Sequence, residues 1–136
     1  MSEPLPARSV AIADASDIVT ARRVARELCE ALGLGKADQT RLATAVSELT
    51  RNVIQYAGSG TCVIEDASDA AQRRARVLVE DQGPGIPDLQ LALSDGYSTS
   101  GGLGAGLPGT RRLVDDFHIE SEPGRTRVTI ALAKPR

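Results

Sequence analysis

The chain has 136 residues, 41% of them hydrophobic, and 16 Lys/Arg against 18 Asp/Glu leave a net charge of −2. That length suits a single domain over residues 1–136 with an aliphatic core, since the aromatic residues are only Tyr56, Tyr97 and Phe117. The charge balance speaks against a nucleic-acid binder, and no apolar run reaches the roughly 18–20 residues of a membrane span. The polar N-terminus lacks a signal-peptide pattern, so a cytoplasmic location is expected. Cys29 and Cys62 lack CxxC spacing and His118 is the single histidine, which disfavours zinc sites and a disulfide framework.

Residues 1–7 hold two prolines and read as a loose arm. Val10 and Ile12 alternate with Ser9 and Ala11 and predict a first strand. Ser16 or Asp17 would cap a helix from Asp17 to Leu32, with Ile18, Ala21, Ala25, Leu28 and Leu32 as its apolar stripe and Gly33 as its stop. A second helix is predicted from Ala37 to Tyr56, with Leu42, Val46, Leu49, Val53 and Tyr56 inward and Gly58 closing it. Thr61–Glu65 reads as a strand, residues 67–74 as a hairpin tip, and Arg76–Glu80 as a buried strand. Leu89–Leu93 has room for one or two helical turns. Fifteen residues from Asp95 to Gly109 then contain six glycines. Leu107, Thr110, Val114 and Phe117 follow at helical spacing. Phe117, Ile119 and Ser121 alternate as a strand, Pro123-Gly124 turns, and Val128, Ile130 and Leu132 share one face of a last strand. Hairpins without crossover helices predict an α+β two-layer sandwich. Its sheet would be mixed and mostly antiparallel, with helices on one face.

Three sequence elements carry candidate chemistry. Glu48 and Asn52 lie four residues apart on the second helix, on one face and about 40° from each other. A carboxylate and an amide oxygen so placed suit hydroxyl activation and a hard cation, although a solvated helix face has the same spacing. Asp81-Gln82-Gly83-Pro84-Gly85 follows a strand directly. Asp81 is placed there to accept from a ligand amino group, and Gly83 and Gly85 would let the backbone approach a flat ring; an ordinary turn uses the same residues. Gly101 to Gly106, leading into a helix near Leu107, offers bare amides for an anion, with a flexible surface loop as the alternative. Gly104 to Gly109 matches GxGxxG literally but lacks the preceding strand that dinucleotide binding requires. His118 and the pair Arg111-Arg112 read as surface residues.

Taken together and in order, these elements resemble the GHKL ATPase/kinase superfamily. Glu48-Leu49-Thr50-Arg51-Asn52 is similar to its N-box, Asp81 to Gly85 to its first glycine box and Gly101 to Gly106 to its second. Gly124-Arg125-Thr126 with Val128-Thr129-Ile130 is similar to its last, one residue shorter than a GxGT pattern. DIVTARR near Asp17 and SELTRN near Asn52 resemble the small bacterial serine/threonine kinases of the anti-sigma and switch-protein group. The resemblance implies the GHKL ATP-binding fold and an ATP- and Mg²⁺-dependent protein serine/threonine kinase. Glu48 would be the general base and Asn52 the Mg²⁺ ligand. Asp81 would accept from the adenine amino group, Gly83 and Gly85 would shape its pocket, and Thr126 would lie near the floor. Gly102, Gly104 and Gly106 would belong to a lid over the phosphates. The implied partners are STAS-domain proteins of the RsbS/RsbR kind as substrates and scaffold, and an RsbU-type phosphatase activated after release. The alternative is an anti-sigma factor that binds a sigma factor and phosphorylates an antagonist STAS protein.

Overall fold

The computed structural model describes residues 5–85 and 106–136. In chain order they form β1 (Arg8–Ile12), α1 (Ala15–Ala31), α2 (Lys36–Ala57), β2 (Gly60–Asp66), β3 (Gln72–Asp81), α3 (Gly106–Leu113), β4 (Asp116–Glu122) and β5 (Arg125–Pro135). The predicted turns at Leu89–Leu93, and Gly102 and Gly104 with the rest of the glycine stretch before α3, lie outside the described residues.

Helix α1 begins earlier than its sequence suggests. Asp14, not Ser16 or Asp17, is the N-cap, and its carboxylate accepts from the Ser16 N–H at 2.9 Å. Asp17 reaches back to accept from the backbone N–H of Ala13 at 2.8 Å and of Asp14 at 3.1 Å. This reciprocal capping box uses two acids three apart, a pair that contributes about 1 kcal/mol through the cap alone. Gly33, at φ 77°, ends the helix as expected, with the Leu34 N–H donating to the Cys29 carbonyl at 2.9 Å. The Arg73 guanidinium from β3 donates to the carbonyls of Leu32 and Gly33, both at 3.2 Å. At the start of α2 the buried Asp38 carboxylate pairs with Arg41 and lies 3.7 Å from Lys134 near the end of β5.

The sheet runs β1-β2-β3-β5-β4, and all its pairings are antiparallel, which sharpens the mixed arrangement expected. Its helix-facing rows follow from the register. Val10, Cys62, Val79, Val128 and Ile119 form one row, and Ile64, Val77, Ile130 and Phe117 the next. These side chains meet Leu42, Val46, Leu49 and Val53 of α2 and Val24, Ala25 and Leu28 of α1 in a single aliphatic cluster.

Four local expectations shift. Tyr56 is 43% exposed instead of inward, because Ala57 makes the last close approach to the neighbouring loop. The tip between β2 and β3 is shorter than residues 67–74: Asp69 accepts from the N–H groups of Ala71 and Gln72, both at 2.8 Å, and β3 starts at Gln72. Helix α3 stops at Leu113, short of Val114 and Phe117. The Asp115 N–H is drawn to the Ala131 carbonyl, and its carboxylate to the Ala133 N–H, so the chain turns onto the sheet edge. Leu32 is only partly buried, beside the end of α1.

Where α2 crosses β2, the sheet has no side chain to spare. A Cβ on Gly60 would lie 2.4 Å from the Glu80 carbonyl oxygen and 2.8 Å from Val53 Cγ1. Gly60→Ala is therefore expected to lower folding stability by about 1–3 kcal/mol, read as a reduced urea midpoint with an unchanged m-value. An unchanged midpoint would mean that helix and sheet are not in such close contact.

Candidate active site

The second half of α2 supplies two of the candidate residues. Glu48 and Asn52 flank the buried stripe Leu49–Val53, as their spacing predicts. Glu48 is no ordinary solvated helix acid, because its side chain is only 13% exposed. One of its oxygens, Oε1, pairs with Arg51 Nη1 at 2.9 Å, while Arg51 itself is half exposed. The neighbouring buried hydroxyls are spent on the helix. Thr50 donates to the Val46 carbonyl at 2.7 Å and Ser47 to the Ala43 carbonyl at 2.9 Å. Beside them, Glu48 and Asn52 are only partly buried.

Asp81 ends β3 in the register row Ile12–Gly60–Asp81–Thr126–Ser121. Alternation from the buried Val77 and Val79 turns that row toward the helices. The row is apolar at one end and empty at Gly60, where Val53 of α2 rests. It is polar at the other end, where Asp81 and Thr126 face each other across the strand pair. Thr126 Oγ1 lies 2.8 Å from Ser121 Oγ. The carboxylate of Asp81 accepts from the Gly83 N–H at 2.9 Å through Oδ1.

The two glycines of this box are needed by the chain itself as much as by any ring. A Cβ on Gly83 would meet Ala57 Cβ of α2 at 2.6 Å. Gly85 has φ 84°, and its Cβ would meet the Glu122 carbonyl oxygen at 2.5 Å. The Gly83 carbonyl accepts from the Gly124 N–H at 3.0 Å. The box is therefore wedged between the end of α2 and the β4–β5 turn, which fixes Asp81 against Thr126. Gly106 opens α3, which packs against α2.

Other candidates lie elsewhere. His118 is on the opposite, solvent face of the sheet, in register with Thr129, and its Nε2 is 3.0 Å from Glu120. Arg111 and Arg112 sit exposed in the last turn of α3. Cys29 and Cys62 are buried free thiols, and burial pushes them up to about 11 and about 12, so neither serves as a nucleophile. Two features escaped the sequence reading: the Arg51–Glu48 pair and the Ser121–Thr126 contact. The alternation Phe117–Ile119–Ser121 already placed Ser121 on the inner face, but nothing local showed which strand would lie beside it.

Partial burial holds the Asp81 carboxyl above the usual aspartate range. The Gly83 N–H opposes the shift, and the neighbouring Glu80 charge adds to it. The folded protein thus keeps this proton to higher pH than the unfolded chain, where an aspartate titrates near about 3.9. The favourable contribution is complete below the unfolded value and is lost as pH rises through the folded one; at neutral pH the ionised group opposes folding. Asp81→Asn, whose side-chain oxygen still accepts from Gly83, is expected to raise the thermal midpoint at pH 7. The gain over the parent should shrink as pH falls toward 4. A gain that stays constant across that range would refute the ionisation argument.

With this geometry in hand, the chain matches the histidine kinase-like ATPase domain family over residues 11–132. It is 51% identical over 108 residues to the serine/threonine-protein kinase RsbT of Bacillus subtilis, covering 79% of this chain and 81% of that protein. Among solved structures, the RsbU and RsbW domains of Rv1364c from Mycobacterium tuberculosis superpose with a TM-score of 0.68 at 20% identity. That match covers 97% of this chain and 34% of the other. The SiaB–SiaC complex from Pseudomonas aeruginosa gives 0.60 at 13% identity, over 96% and 91%. The last two likenesses concern the fold alone. Sequence and fold agree, and the chain belongs to the histidine kinase-like ATPase domain family as a protein serine/threonine kinase similar to RsbT.

Proposed function

We propose that this kinase transfers the γ-phosphoryl group of ATP to a serine or threonine of a STAS-domain protein in stress signalling. Once released, it engages an RsbU-type phosphatase, and it does this work in the cytoplasm as one domain. The observation that carries the reading is the placement of Glu48 and Asn52 on the part of α2 that packs, through Val53 and Ala57, over the Asp81–Thr126 end of the sheet. The identity to RsbT supports the kinase class and the signalling setting. No helix among the described residues is long and apolar enough to cross a membrane.

The donor set fits the nucleotide and its metal. Asp81 accepts from the adenine amino group in a charge-assisted bond of roughly 1.5–3 kcal/mol. Thr126 offers a hydroxyl beside it, and Gly83 and Gly85 hold the loop that frames both. The neutral Asn52 amide oxygen is a hard ligand that, with the phosphate oxygens, would hold Mg²⁺; the ion supplies charge neutralisation at the phosphates. Gly102, Gly104 and Gly106 belong to the lid that this reading places over them. Glu48 orients the acceptor hydroxyl and takes its proton as the new oxygen–phosphorus bond forms and the β–γ bridging bond breaks, releasing ADP. Arg51 steadies the carboxylate through Oε1, so that Oε2 faces the acceptor.

Glu48→Gln should cut phosphotransfer from radiolabelled ATP to a STAS partner by about 10²–10⁴-fold while leaving nucleotide affinity nearly unchanged. Asn52→Ala should weaken Mg-ATP binding and transfer together. Retained transfer in Asn52→Ala would remove the metal assignment. Bound ATP with no phosphoserine or phosphothreonine formed on any STAS partner would remove the substrate assignment. Stable capture of a sigma factor in place of a STAS protein would favour the anti-sigma role instead.

A further inference from the structure

Arg51 has more donors than its partner on α2 takes up. Its Nη1 donates to Glu48 Oε1 at 2.9 Å, and half of its side chain is open to solvent. We propose that the rest of the guanidinium reads the acceptor protein. Arg51 is then a specificity-determining residue that binds a carboxylate within two residues of the serine or threonine to be phosphorylated. This deepens the kinase reading and rests on it.

Helix geometry sets the order of the three polar side chains. At about 100° per residue, Asn52 stands about 40° from Glu48 on one side and Arg51 about 60° from it on the other. Glu48 lies between them, and Arg51 is the exposed member while Glu48 and Asn52 are partly covered. In the proposed function the metal and phosphates lie on the Asn52 side, so an acceptor hydroxyl that reaches Glu48 arrives beside Arg51. A guanidinium carries five N–H groups in a flat fork and accepts nothing. One is spent on Glu48, and among the described residues no other acid pairs with Arg51. The free edge of the fork matches a carboxylate in two parallel bonds, which the ammonium of a lysine does not reproduce. A carboxylate held there is only one guanidinium away from Glu48. With consecutive Cα atoms about 3.8 Å apart, it belongs to a residue next to the reacting one or next but one. The pair with Glu48 does not by itself account for the arginine. A half-exposed ion pair one helical turn long adds little to folding, and the buried stripe of α2 already holds the helix in place.

The phosphorylated residue of a STAS acceptor is located by mass spectrometry. The acidic residue within two positions of it is changed to its amide and, separately, to the other acid. Transfer of radiolabelled phosphate at saturating Mg-ATP is measured with the parent, Arg51→Gln and Arg51→Lys kinases, and ATP affinity by titration calorimetry. The parent is expected to lose about 10–100-fold in kcat/KM on the amide acceptor, the loss of a charge-assisted bond, with most of the change in the acceptor KM. It should keep most of its rate on the acid-for-acid acceptor. Arg51→Gln should favour acid over amide by no more than about twofold, and Arg51→Lys should recover part of the preference. ATP affinity should stay within about twofold throughout. Each preference is a ratio within one kinase, so lower stability or a displaced Glu48 does not imitate the effect. The proposal is overturned by a phosphorylated site with no acid within two positions, or by a parent that uses both acceptors equally. It is also overturned by a preference that survives in Arg51→Gln, a lysine variant no more selective than the glutamine one, or weakened ATP binding in Arg51→Gln. Failure of the underlying reading looks different: the parent transfers nothing to any STAS acceptor, or Glu48→Gln keeps the parental rate, and then both fall.

Discussion

The structure depends on how closely the second half of α2 lies on the ends of β2 and β3. Val53 occupies the space that a side chain at position 60 would take, and Ala57 meets Gly83 where a Cβ would clash. Interiors packed this tightly do not deform by small degrees. The helix that carries Glu48 and Asn52 is therefore held at a set height above the row that carries Asp81 and Thr126. In the proposed function these are the groups that read the base and the phosphates, and the height of one above the other is set by two glycines and the two apolar side chains opposite them.

The same arrangement carries an energetic cost. Asp81 is partly buried and pairs with no cation among the described residues, and burial disfavours its charge. Glu48 is handled differently, since it is more deeply covered but has the Arg51 guanidinium on one oxygen. The two acids of the site thus differ in what they await. Asp81 has a backbone N–H on one oxygen, and Glu48 has a guanidinium on one of its own; in the proposed function the first accepts from the base and the second from the acceptor hydroxyl. That division matches the roles of reading a base and handling a hydroxyl.

Much of this was legible in the chain. The helical stripe through Leu42, Val46, Leu49 and Val53, the stops at Gly33 and Gly58, the strand leading into Asp81 and the order of elements all follow from periodicity and turn chemistry. What was not legible depends on neighbours distant in sequence. The helix period could not say whether Tyr56 or Ala57 makes the last contact, because that is decided by a loop that arrives 26 residues later. Ser16 and Asp17 are cap formers as good as Asp14, and only the reciprocal bonds single out Asp14 as the cap. The glycines of the Asp81 box looked like openings for a flat ring, whereas both are also demanded by contacts inside the fold. The link between Thr126 and Ser121 needs a hairpin register that no local pattern supplies.

At the opposite end of the helical layer the fastenings are ionic and directional. Asp38 ties the start of α2 to Lys134, and Arg73 ties the end of α1 to β3. Near Glu48 and Asn52, by contrast, the contacts of α2 with the sheet and its loop among the described residues include Val53 beside Gly60 and Ala57 beside Gly83. The two ends of α2 are therefore held by different forces, and added salt screens the half-exposed Lys134 partner of the first while leaving the packing at Gly60 and Gly83 unchanged.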